Sequence, residues 1–150
     1  MFTYRRALLC TTALALSFSS SPAGQTPSVQ QANDAVVKRV AATIAGREQL
    51  PANQVFENVD RLKDVSAGTL LAIMDIGYAK ALGVACSHCH DESNFASDEK
   101  RPKRAAREMQ VMHRTLNDQL RAMKNLSTEV DKRALSCNAC HRGQIIPFRG

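Results

Sequence analysis

"GVACSHCHDESNF", residues 83–95, places two cysteines three positions apart with a histidine directly after the second. The same spacing returns once, in "LSCNACHRG", residues 135–143. C-x-x-C-H is the pattern that covalent haem attachment needs. Two thiols three apart on a tight turn reach the two vinyl groups along one porphyrin edge. The next residue points back beneath the ring, where its imidazole becomes the proximal iron ligand. Cys86 and Cys89 are thus expected to tether one haem with His90 beneath it, and Cys137 and Cys140 a second with His141 beneath it.

The remaining cysteine supports this count. Cys10 lies in "MFTYRRALLCTTALALSFSSSPAG", where Arg5 and Arg6 precede an uncharged apolar run from Ala7 to Phe18 and small residues lead to Ala23. That order reads as a secretory signal over residues 1–23, too short to span a bilayer and cleaved on export. Four cysteines then remain, all within the two motifs. In an oxidising compartment they would ordinarily form disulfides. A Cys₄ zinc site could also use both pairs, but like disulfides it leaves the two histidines without a role. The expected location is periplasmic, and docking at the membrane surface is compatible with it. The net charge of +6 falls to +4 once Arg5 and Arg6 leave, and aromatic content is 5% with no Trp. Such a chain has neither the basic patch nor the stacking rings that nucleic-acid binding uses, so no nucleic-acid partner is expected.

A chain of 150 residues makes one domain. Val36, Val37, Val40, Ala41 and Ile44 fall at helical spacing between Ala32 and Ala45, and Gly46 is a stop. "LPANQVFENVDRLKDV" has no sustained period and reads as irregular or extended chain. Ser66 caps a second helix that runs to about Leu82, with Leu70, Ile73, Met74, Gly77, Tyr78 and Ala81 on one stripe. Pro102 suits the first turn of a third helix over about 103–124, whose face carries Ala105, Met109, Met112, Leu116, Leu120 and Met123. The polar stretch "NLSTEVDKRALS" holds at most one short helical turn. The predicted class is all-α, a small multihaem c-type cytochrome with long irregular loops packed around two haems. Its organisation is an N-terminal segment, 24–54, with one helix, followed by a dihaem domain over 55–150.

Each motif follows a helix with methionine on its apolar face, and a thioether opposite imidazole closes the sixth iron position and raises the haem potential. Met74 stands 12 positions before Cys86, and Gly77 one turn on would let a flat ring approach the helix. Met74 could otherwise be a core gap-filler. For the second haem the helix offers Met109, Met112 and His113, and periodicity does not choose among them. His88 reads as an exposed bystander, and "DESNFASDEKRPKR" as a solvated loop.

The stretches "VFENVDRLKDVSAGTLLAIMD", "CSHCHDESNFASDEK", "AAREMQVMHRTLN" and "CNACHRG" resemble, in order and spacing, the cytochrome subunit of bacterial photosynthetic reaction centres. The resemblance spans about residues 55–147. It implies c-type haems whose axial methionine comes from the helix before each motif. Carried over by position, these ligands are Met74 for the first haem and Met109, not Met112, for the second. The well-known members carry four haems, and this chain resembles their N-terminal half. They also place a histidine before the second motif that reaches a further haem, and "NLSTEVDKRALS" has none. The expectation is a stand-alone dihaem carrier of single electrons and not an enzyme. Its partners would be redox proteins, a membrane-bound photosynthetic or respiratory complex among them. The alternative is a dihaem peroxidase-like enzyme with one open iron and His113 as its polar distal group.

Overall fold

The computed structural model describes residues 28–126 and 134–147. The expected signal segment lies outside the described residues, as does most of the polar stretch before the second motif.

Helix α1, Val29–Thr43, starts ahead of its apolar stripe because Ser28 builds a capping box. Its hydroxyl accepts from the Gln31 amide at 3.2 Å, and the Gln31 side chain accepts from the Ser28 amide at 2.8 Å. The helix stops at Ile44, and Gly46 follows with φ +80°. Within the irregular 50–65 stretch there is one helical turn, α2, Ala52–Val55. The ends of that stretch are tied together by a bridge between Pro51 and Ser66 and by the Ala52 amide on the Val65 carbonyl at 2.8 Å.

Ser66 caps α3, Ala67–Ala72, accepting from the Thr69 amide at 3.2 Å. The expected continuation as α-helix is corrected here, because Ile73–Lys80 is π-helical. The widening has a packing reason. In an α-helix each four-residue step drifts about 40° around the axis. Longer i→i+5 turns reduce that drift, so Leu70, Met74, Tyr78 and Leu82 all line one cavity. Single π turns inside helices are common at functional sites.

The first motif forms a short turn, α4, Cys86–Cys89. Helix α5 is Arg101–Ala122, with Pro102 in its first turn, and α6 is Cys137–His141. Among the described residues there is no strand, only two isolated bridges. The all-α class is what the structure has.

Helix α1 packs against α3 and its π continuation, and α4 against α5. Among the described residues the buried apolar ones are few and most are small: Val36, Ile44, Ala52, Ala67, Leu70, Ala79 and Ala81. The largest side chain buried almost completely is a polar one, Asn33. In place of a solid core, α1, the α3–π helix and α5 surround a cavity of about 480 Å³.

Candidate functional site

Four of the sequence-predicted residues, Met74, Cys86, Cys89 and His90, line that one cavity together with Tyr78 and Phe95. Cys86 and Cys89 sit one turn apart on α4, and His90 leaves the turn in extended conformation with its amide on the Cys86 carbonyl at 3.0 Å. Both thiols are unpaired. Burial is the main cause that raises their pKa, helped at Cys86 by the Glu92 charge and opposed at Cys89 by Lys100. At neutral pH they are thiols, not thiolates.

His90 is half-buried, and burial pulls its pKa down, with Lys103, Lys100 and Arg107 adding to the effect and the Phe95 carbonyl opposing it. The ring is therefore neutral near pH 7. Its Nδ1 faces the Phe95 carbonyl at 3.3 Å. A carbonyl only accepts, so Nδ1 carries the proton and Nε2 keeps its lone pair, the tautomer a metal ligand needs.

The second motif repeats this local logic. His141 Nδ1 faces the Gln144 carbonyl at 2.9 Å, again leaving Nε2 free. Arg142 then turns left-handed with φ 49° and Gly143 follows with φ 80°. Burial raises the Cys137 thiol, whereas Cys140 is exposed. On α5, Met109 is 41% and Met112 47% exposed, and Leu116 on the same helix and Leu135 ahead of the second motif are exposed as well. His113 Nε2 faces the Leu135 carbonyl and the Asn117 amide nitrogen, so its ring is committed to the chain entering the second motif.

The two motifs meet. The Gly143 amide donates to the Ala81 carbonyl at 2.9 Å, and a Cβ on Gly83 would lie 2.1 Å from the Gly143 oxygen. Tyr78 lies where both motifs influence it: burial first, then Cys137 and Cys89, push its phenol up to about 12.

Two sequence expectations change. Gly77 does not line the cavity, and a Cβ there would meet only Ile73 at an ordinary 3.5 Å, so no close approach requires glycine. His88 is half-buried, not exposed.

Two functional residues had no place in the sequence reading. Asn33 on α1, 2% exposed, donates to the Val84 carbonyl at 3.0 Å and accepts from the Cys86 amide at 2.9 Å. Asn117 on α5, 4% exposed, donates to the Leu135 carbonyl at 3.2 Å and accepts from the Leu135 amide at 2.7 Å. Each asparagine thus clamps the backbone two residues ahead of a motif. The available signal was a polar residue at helical spacing from the buried stripe, as Asn33 is from Val36.

The chemistry and shape of the first site fit haem. Its cavity lies within the roughly 300–1,000 Å³ range of small-molecule sites. Two thiols, a neutral imidazole and a thioether line it, and apolar residues from three helices complete the wall. Among the described residues, no group of three or more Cys, His, Asp or Glu side chains converges to hold a bare metal ion.

Helices joined by irregular chain, with two C-x-x-C-H turns brought together beside an apolar cavity, define a small protein of the c-type cytochrome class. The chain belongs to the photosynthetic reaction centre cytochrome c subunit family, whose model matches residues 14–149. It is 32% identical over 121 residues to the photosynthetic reaction center cytochrome c subunit of Thermochromatium tepidum, covering 78% of this chain and 27% of that one. The corresponding subunit of Rubrivivax gelatinosus is 32% identical over 111 residues, 72% of this chain and 28% of its own. Cytochrome c-554 of Chloroflexus aurantiacus is 42% identical over 60 residues, 40% of this chain and 14% of its own. The chain therefore spans little more than a quarter of the length of the two reaction centre subunits.

Proposed function

We propose that this chain is a periplasmic dihaem c-type cytochrome that passes single electrons between redox partner proteins. Cys86 and Cys89 would hold the first haem by thioether bonds, with His90 and Met74 as axial ligands. Cys137 and Cys140 would hold the second, with His141 and Met109. When bound, each haem supplies a one-electron iron couple. The chain's own residues orient the imidazoles through backbone carbonyls, exclude water from the first ring with an apolar wall, and bring the two attachment turns together at Gly83 and Gly143.

The observation that carries this reading is the convergence of Met74, Cys86, Cys89 and His90 on one cavity. The names of its relatives favour a photosynthetic complex as the partner, at the membrane surface. No helix among the described residues is long and apolar enough to cross a membrane. The commitment of His113 to Leu135 and Asn117 weighs against its serving a polar distal pocket in an enzyme.

Intact mass of the exported protein tests the reading. The expected species starts near Gly24 and exceeds its polypeptide by two haem groups, with no free thiol. A mass with one haem or none overturns it.

A further inference from the structure

We propose that Lys103 is a positioning residue for His90, and that its ammonium raises the reduction potential of the first haem through the carbonyl of Phe95. This rests on reading Cys86, Cys89 and His90 as a haem site. Lys103 stands in the first turn of α5 and is only 8% exposed, a depth lysine almost never reaches unless it is paired. Its Nζ donates to three consecutive carbonyls, those of Phe95 at 2.8 Å, Ala96 at 3.0 Å and Ser97 at 2.8 Å. Three donors are all an ammonium has. Asp98 Oδ1 lies 3.1 Å away and is without a hydrogen-bond donor, so it balances the charge without taking a proton from the carbonyls. The loop after the first motif, solvated by its composition, is wound around a buried cation.

The Phe95 carbonyl is the shared element. It receives Lys103 on one side and faces His90 Nδ1 at 3.3 Å on the other, while the ring of the same residue lies against the imidazole with centroids 5.3 Å apart. An ammonium on this oxygen draws density from it and weakens its pull on the Nδ1 proton. The imidazole then gives less density to iron, which favours the reduced state. The second motif lacks the device: among the described residues no ammonium reaches the Gln144 carbonyl that faces His141.

The test uses the exported holoprotein and three variants, Lys103→Gln, Lys103→Arg and Lys100→Gln. Lys100 bonds the Ser87 carbonyl, so its removal deletes a charge from the same region without touching residue 95. Spectroelectrochemical titration should find the first haem of Lys103→Gln about tenfold more oxidised at the original midpoint, a fall of about 59 mV for a one-electron couple. The second haem should not move. The His90 Nδ1 proton, followed by NMR, should exchange more slowly, because the Phe95 carbonyl then holds it more strongly. Lys103→Arg should keep most of the potential. If Lys103→Gln fails to load the first haem, the arginine variant decides: loading near the original potential supports the proposal, and loss in both refutes it. An unchanged potential in loaded Lys103→Gln, or an equal fall in Lys100→Gln, also refutes it while leaving the haem reading intact. An unmodified protein with no haem on Cys86 and Cys89 removes the reading and the proposal together, and mass mapping shows which has happened.

Discussion

At the scale of single residues, the site is a set of atoms whose partners leave one function open. The Nδ1 atoms of His90 and His141 both face carbonyls, which leaves both Nε2 atoms open to the irons proposed above. On the proposed reading sulfur fills the sixth position of each iron, so the methionines provide the test. Leucine in place of methionine changes volume little and costs under about 1.5 kcal/mol. Met74→Leu and Met109→Leu should each lower one haem's potential and admit carbon monoxide to one iron, whereas Met112→Leu should do neither. Carbon monoxide binding in Met112→Leu but not Met109→Leu would reverse the assignment, and ready binding by the unmodified protein would favour the open-iron enzyme. The two C-x-x-C-H turns were legible as candidate attachment sites because their pattern is local and contiguous. Met109 and Met112 occupy one helical face, so periodicity had no means of separating them, and the family resemblance made that choice. Asn33 and Lys103 were not legible, because their roles depend on backbone groups that only folding brings near.

Elements carry the motifs into place, and the two clamps make that testable. Asn33 reaches from α1 across 53 residues of sequence to the Cys86 amide, and Asn117 reaches from α5 across 18 to Leu135. Truncating Asn33 leaves the Val84 carbonyl and the Cys86 amide without these partners. Truncating Asn117 frees the Leu135 amide, while His113 still reaches the carbonyl. Each part-buried group left unpaired costs about 1–3 kcal/mol. Asn33→Ala should therefore deplete haem on Cys86 and Cys89, and Asn117→Ala on Cys137 and Cys140. Peptide mapping of the exported protein reads the two occupancies separately, and equal depletion of both motifs in either variant would refute the clamps. The long helices were legible from apolar spacing, with Ser66 and Pro102 marking two starts. The π stretch was not. Its reason is the cavity it faces, and a stripe of Leu70, Met74 and Tyr78 satisfies an α-helical template equally well until the packing is known.

For the whole molecule, the decisive contact joins the chain before the first motif to the chain after the second. Gly83 and Gly143 are 60 positions apart, and no period or composition links them. Both have positive φ, +66° and +80°, which costs an alanine about 1–2 kcal/mol. Their surroundings differ sharply. A Cβ on Gly143 would meet nothing within 4 Å, but one on Gly83 would lie 2.1 Å from a backbone oxygen that cannot swing aside. Gly143→Ala should lose only the conformational cost. Gly83→Ala must also part the two backbones and strain or break the Gly143 to Ala81 hydrogen bond, so its loss should reach about 3 kcal/mol or more. Urea unfolding of the two holoproteins compares them directly. With the two haems proposed above in place, the Gly83 variant should also show altered electronic coupling between them, seen in Soret circular dichroism, because the two turns move apart. Equal unfolding midpoints and unchanged dichroism would mean that this junction does not set the spacing of the two haems, and that the long helices hold the motifs together by themselves.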